Sequence, residues 1–285
     1  MKILKKSFVS SARRFEGALF VILVGGLVFQ SEAQIYTLSQ NGSTAQIDAG
    51  SQAGLFNWSV GGVGQVAQQW FWYRVGSAGP ESSIDTISPV SETSSGANKA
   101  TLTYANSTIS VKTAYSLLAP GNGTATLSEQ ITVMNTSGVS QDYHFFQYSD
   151  FDLGGVPGNQ SVQFYSNGAT NSDGSPLYYE VIQTGANGSL VETANAPGAS
   201  SMEVQAGYFP ATLNQLNDGV LTTFNNTSLG AGPGDVTYAY EWDATLAPGT
   251  SLLISKLMSV PEPSSMALIA SGMLALAWLR RRRVG

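Results

Sequence analysis

From Ile109 to Leu117 every second residue, Ile109, Val111, Thr113, Tyr115 and Leu117, is apolar or β-branched, and Ser110, Lys112, Ala114 and Ser116 fall between them. A period of two is the repeat of a β-strand with one face buried. The pattern returns at Leu127, Ile131 and Val133, set against Ser128, Gln130 and Thr132. It returns again at Val236, Tyr238, Tyr240, Trp242 and Ala244, set against Thr237, Ala239, Glu241, Asp243 and Thr245. Shorter strand-like runs lie between, from Tyr143 to Phe151, Val162 to Tyr165, Leu177 to Ile182 and Met202 to Tyr208. Turn chemistry such as Asn135-Thr136-Ser137-Gly138 or Asn171-Ser172-Asp173-Gly174 bounds them.

These short strands predict an all-β chain forming one large antiparallel β-sandwich rather than tandem modules. Ala247-Pro248-Gly249-Thr250 reads as the turn of a closing hairpin between residues 236–246 and 251–257. Only Ala211 to Asn217 has helical character, and Ser77 to Ala97 reads as the longest loop or insertion. No internal period marks a propeller or a solenoid.

The ends of the chain follow a different logic. Lys2, Lys5, Lys6, Arg13 and Arg14 precede an uncharged apolar run from Gly17 to Phe29, and Ser31-Glu32-Ala33 has the small-x-small form of a cleavage site. Residues 1–33 therefore read as a secretory signal peptide cut between Ala33 and Gln34. At the other end, Val260-Pro261-Glu262-Pro263 is followed by a charge-free apolar stretch to Leu279 and by Arg280, Arg281, Arg282 and Arg283. The two prolines remove two backbone donors and keep the tetrapeptide extended, within reach of a processing enzyme. The apolar stretch predicts a C-terminal transmembrane helix that only just spans a hydrocarbon core of about 30 Å. The four arginines then act as a stop-transfer anchor on the cytoplasmic side.

This three-part tail resembles the PEP-CTERM sorting signal of Gram-negative bacteria. The resemblance covers residues 260–285 only. It implies recognition by an exosortase-like enzyme, an inner-membrane-anchored precursor, and delivery to the cell surface or the extracellular space. It also implies a setting of exopolysaccharide and biofilm.

Without its two ends the body, residues 34–259, holds four basic residues (Arg74, Lys99, Lys112, Lys256) against sixteen acidic ones, a net charge of −12. Such a surface repels nucleic acid and anionic lipid, so neither is expected as a partner. There is no cysteine, which removes thiol nucleophiles and thiolate metal sites, and the single histidine excludes any site needing two imidazoles.

Three features of the body carry candidate chemistry. In Asp150-Phe151-Asp152-Leu153-Gly154-Gly155 the two carboxylates share one face at a strand end, with Asp142 as a nearby candidate. Hard oxygens so placed suit Ca²⁺, and the plainer alternative is a polar turn. The same pair would serve glycoside hydrolysis only at separations of about 5–9.5 Å. Within Trp70-Phe71-Trp72-Tyr73, Trp70 and Trp72 share a face and are candidates for stacking on sugar rings. The alternative there is a strand buried on both sides. His144, between Tyr143 and Phe145, reads as a hydrogen-bonded core or rim residue, since no Gly-x-Ser-x-Gly elbow accompanies it.

No catalytic residue is assigned, and the sequence reads as a non-enzymatic, structural or adhesive surface body. A carbohydrate-binding module is the alternative and a secreted glycan-active enzyme comes third. Exposed aromatics would favour the second, and carboxylates gathered in a groove the third.

Overall fold

A computed structural model describes residues 34–261. The expected signal peptide with Ala33, and the tail from Glu262 through Pro263 to Arg280–Arg283 with its apolar helix, lie outside the described residues. The strands are, in order, β1 Ile35–Gln40, β2 Ser43–Asp48, β3 Gly54–Val60, β4 Val63–Gly64, β5 Gln68–Val75, β6 Ser82–Ser83, β7 Ser91–Gly96, β8 Lys99–Ala105 and β9 Ile109–Leu118. They continue as β10 Ala125–Asn135, β11 Gln141–Asp150, β12 Gln160–Thr170, β13 Pro176–Gly185, β14 Gly188–Asn195, β15 Ser201–Tyr208, β16 Gly230–Gly234, β17 Val236–Leu246 and β18 Ser251–Val260. One short helix, α1 Ala211–Gln215, falls where helical character was read.

The first sheet runs β1-β2-β3-β5-β11-β17-β15, with β4 beside β3 and β6 beside β5. The second runs β16-β12-β13-β14-β18-β10-β9-β8-β7. Pairing is antiparallel throughout except for a short parallel contact between β3 and β5. The expected all-β, two-sheet body is therefore present. Ile109, Val111, Thr113, Tyr115 and Leu117 all point inward, as their spacing requires.

Aromatic rings fill the core. Phe71 stacks on Phe145 at 5.6 Å and Tyr240 on Trp242 at 5.3 Å, arrangements worth about 0.5–1.5 kcal/mol each beyond burial. In their midst sits an ionic group that the alternation hides, because Glu129 occupies an inward position of β10 between Leu127 and Ile131. The Lys256 ammonium lies 2.7 Å from Glu129 Oε2 and 3.3 Å from Glu192 Oε1, all three buried. Gln69 and Gln147 donate to the two carboxylates from the facing sheet, at 3.3 and 3.0 Å, and the Tyr238 hydroxyl donates to Glu192 at 2.7 Å. A buried charge needs such partners, and here they also tie one sheet to the other.

Two expectations about connections are corrected. The turn Ala247–Thr250 does not close a hairpin: β17 pairs with β11 and β15 in the first sheet, and β18 pairs with β10 and β14 in the second. Both edges of each strand are thus occupied, and the turn crosses between the sheets. Asn135 holds it there, donating through Nδ2 to the Leu246 carbonyl at 2.8 Å while its backbone exchanges bonds with Gly249 and Thr250. Nor is Ser77 to Ala97 one open loop. It contains β6, a 3-10 turn at Ile84–Thr86 whose Ile84 is fully buried, and β7.

The segment after α1 lies over the outer face of the first sheet. Glu81 accepts from the Thr222 N–H at 3.0 Å and from Arg74, whose guanidinium also donates to the Thr222 carbonyl at 2.7 Å. This cover explains why β17 is buried on both faces although its sequence alternates.

Candidate functional site

Register assembles the site. In the neighbouring strands β5, β11, β17 and β15, the pairs Arg74↔His144, His144↔Asp243 and Asp243↔Ser201 form one row across the sheet. The pairs Trp72↔Phe146, Phe146↔Glu241 and Glu241↔Glu203 form the next. Residues two apart on a strand share a face, so both rows project from the outer side. One imidazole and three carboxylates from three strands meet there.

His144 Nδ1 and Asp243 Oδ1 are 2.5 Å apart, and Glu241 Oε1 is 3.6 Å from the same nitrogen. Ser201 Oγ donates to Asp243 Oδ2 at 3.1 Å. Glu241 is buried, accepting from the Phe224 N–H at 2.6 Å, with Arg74 4.0 Å from its other oxygen. Above it opens a cleft of about 390 Å³, lined by Asp142, His144, Ser201, Glu203, Asp243 and Thr245 among others. That size suits a small molecule.

The environment drives these groups apart in proton affinity. Burial by itself lowers the His144 pKa, but hydrogen bonds donated by the imidazolium to Asp243 and Glu241 and the Asp243 charge override it and carry it to about 9. Burial, together with the charge of Asp243, raises Glu203 to about 7. One oxygen of Glu203, Oε2, is buried without a hydrogen-bond partner. Near neutrality the cleft thus holds an imidazolium and a carboxyl group poised to give or take a proton.

The donor atoms of His144, Glu241 and Asp243 lie within 4.8 Å of one another, close enough for a metal to be considered. His144 Nδ1 and Asp243 Oδ1 are hydrogen-bonded to each other, however, and an ion about 2.0–2.2 Å from both would take the place of that bond.

The residues singled out from sequence are placed as follows. Trp70 and Trp72 are buried, at 1% and 0% exposure, and the sugar-stacking expectation is corrected accordingly. Their indole N–H groups donate to Ser83 Oγ in the adjoining β6 (2.8 Å) and to Asn217 Oδ1 just after α1 (3.2 Å). Asp150 and Asp152 do come together, but Asp142 is at the opposite end of β11, bonded to Thr245, and the third carboxylate is Asp235. Burial and the charges of Asp152 and Asp235 push Asp150 up to about 7. Gln34 is exposed at the start of the described residues, and Val260 ends β18 just before Pro261. Arg74, Glu203, Asp235, Glu241 and Asp243 were not singled out. The only sequence signal for them was the run of polar residues sharing the outward face of β17.

The class is therefore an all-β, two-sheet body with an acidic, histidine-bearing cleft, exported under a C-terminal signal. The signal itself is shown: the family model of the PEP-CTERM protein-sorting motif matches residues 259–283. That motif implies an exported protein with a membrane-anchored precursor, processed by an exosortase. Among the described residues, no helix is long and apolar enough to cross a membrane.

No curated protein matches the chain. Solved structures resemble it in fold. A protein assigned as an aldose 1-epimerase from Escherichia coli K12 shares 10% identity over 81% of this chain and 99% of its own, with a TM-score of 0.49. A galactose mutarotase-like protein from Lactobacillus casei shares 10% over 80% and 100%, TM-score 0.47. A bacterial glucoamylase solved with acarbose shares 9% over 85% of this chain and 32% of its own, TM-score 0.49. These likenesses are in strand layout and assign no activity here. The expectation of a non-enzymatic body is corrected to the extent that the names these structures carry are those of enzymes or enzyme-like proteins.

Proposed function

We propose that the exported body binds a small, neutral, hydroxyl-rich molecule of the sugar class in the His144 cleft and moves protons on it. The observation that carries this reading is the convergence of His144, Asp243 and Glu203 from three strands at one open cleft, with Glu241 buried beneath it. Carboxylates and the hydroxyls of Ser201 and Thr245 suit hydroxyl partners, and the net negative charge of the body disfavours anionic ones. Carboxylates gathered in a cleft favour glycan-directed chemistry over a structural or adhesive role.

The simplest reaction that such a pair supports is hemiacetal opening and closure. One group takes the proton of the anomeric hydroxyl while the other protonates the ring oxygen, and the ring C–O bond breaks to leave a carbonyl. Re-closure reverses both transfers, so no leaving group or covalent protein adduct is needed. In this reading residues 1–33 direct export, 34–259 are the working body, and 260–285 with a membrane-spanning helix are the sorting tail.

The test is NMR measurement of binding and of anomer exchange for a panel of free aldoses, with Glu203→Gln and His144→Gln beside the parent chain. Exchange should be accelerated by the parent and fall at least tenfold in either variant. A folded parent that neither binds a panel member nor changes its exchange rate would end this reading.

A further inference from the structure

The ladder between β11 and β17 ends at the pair Asp150↔Thr237. Continuing the alternation one step past it brings Asp152 and Asp235 out on the same face, opposite each other. One oxygen from each of Asp150, Asp152 and Asp235 lies within 4.8 Å of the other two. Asp150 is 5% exposed, and its Oδ1 has no hydrogen bond within 3.5 Å, the Tyr148 hydroxyl being its polar neighbour; Asp152 Oδ1 is likewise buried and without a bond at that distance. Among the described residues the cationic members of ion pairs are Arg74, His144 and Lys256, and none of them is paired with these acids. A buried carboxylate with an idle oxygen and two like charges beside it is costly unless a cation is shared among them.

We propose that Asp150, Asp152 and Asp235 form a Ca²⁺ site. The donors are all hard oxygens, with no imidazole or thiolate among them, which disfavours zinc and suits Ca²⁺ or Mg²⁺. Ca²⁺ is favoured because it accepts irregular sets of six to eight oxygens, and these acids come from a strand end and two turns rather than an octahedral cage. Gly154 and Gly155, at φ +77° and +71°, turn the backbone immediately after Asp152. The ion pins the end of β11 to the start of β17. It is separate from the cleft: His144 and Asp150 are six residues apart on one strand, about 20 Å.

The full-length chain, solubilised in detergent and stripped with chelator, is melted with and without CaCl₂ or MgCl₂, and titrated with Tb³⁺. Tyr148 neighbours Asp150 and would sensitise bound Tb³⁺. Ca²⁺ at a hundredfold excess over its Kd should raise Tm by about 5–10 °C. Tb³⁺ emission should appear and be competed away by Ca²⁺. Asp235→Asn and Asp152→Asn should each lose the Ca²⁺ shift. Each should also melt higher than the parent when metal-free, since one repulsive charge is gone, an outcome that a merely structural carboxylate would not produce. A parent chain that is folded, shows no Tb³⁺ emission and has the same Tm in millimolar Ca²⁺ as in chelator would overturn the proposal. So would Asn variants that retain the full shift.

Discussion

Val260 stands opposite Ala125 at the last rung of the ladder between β10 and β18, so the sorting motif begins inside the fold rather than after it. The family match starts at Ser259, one residue earlier still. β18 lies between β10 and β14, and Met258 and Val260 are both buried. Body and tail share these residues with no linker between them.

Replacing Pro261-Glu262-Pro263 by three alanines should therefore leave the body folded while unprocessed chain accumulates in the membrane fraction. Truncation after Leu257 should act on the fold instead, since it removes the buried Met258 and Val260. The expected cost is about 2–5 kcal/mol in urea unfolding. Normal surface delivery of the alanine variant would contradict the role of the motif.

Lys256 should be the least replaceable residue of the core. Its ammonium lies between Glu129 and Glu192 and sits 5.5 Å from the centre of the Phe71 ring. Lys256→Met leaves two carboxylates buried without a counter-charge and should cost about 3–5 kcal/mol. Glu129→Gln should cost less, because burial already raises the proton affinity of that carboxyl against the pull of Lys256. Equal losses in denaturant unfolding of the two variants would argue against this ordering.

The metal-free body should be more stable at pH 5 than at pH 8. Burial raises Glu203 and Asp150 to about 7, and raises Glu129 and Glu241 as well, while carboxylate hydrogen bonds carry His144 to about 9 against its desolvation. The folded chain therefore binds more protons than the unfolded one, and stability falls as pH rises. The contribution of Glu203 and Asp150 is complete below about pH 4 and is lost through about pH 7, and that of Glu129 and Glu241 has the same sign; that of His144 is complete below about 6.5 and is lost through about 9. Urea midpoints in chelator across this range give the sign directly. A midpoint that climbs from pH 5 to 8 would refute it.

Because the chain holds a single histidine, its titration can be read without assignment. The His144 ring resonances should titrate near pH 9 in the parent chain. In Asp243→Asn the midpoint should fall by more than one pH unit, since the partner 2.5 Å from Nδ1 loses its charge. A parent midpoint near 6.5 would mean that Asp243 does not stabilise the imidazolium in solution.

Strand identity was legible wherever one face alone is buried. In β9 the inward set follows directly from the spacing of Ile109, Val111, Thr113, Tyr115 and Leu117. The same rule misleads in β17, whose polar face is also covered, and in β10, where a carboxylate takes an inward place because Lys256 of the next strand meets it. The turn chemistry of Ala247–Thr250 is equally compatible with a hairpin and with a crossing between sheets. Only the partners of β17 and β18 decide which occurs.

The cleft was not legible at all. Asp243 and Glu241 could be placed on one face, yet nothing local puts His144 on one side of them and Glu203 on the other. Of the acid pair at the end of β11, Asp150 and Asp152 were found by their spacing, while Asp235 lies eighty-three residues beyond Asp152 and joins them only through register.

The sequence alone determined what depends on neighbours along the chain: strand periodicity, the excess of acid over base, and the PEP-CTERM tail. The tertiary structure decided which strands lie side by side, and hence which carboxylates meet the histidine and which meet one another. The physical reason is that strand pairing is selected by packing between residues far apart in sequence, whereas periodicity is a property of each segment by itself.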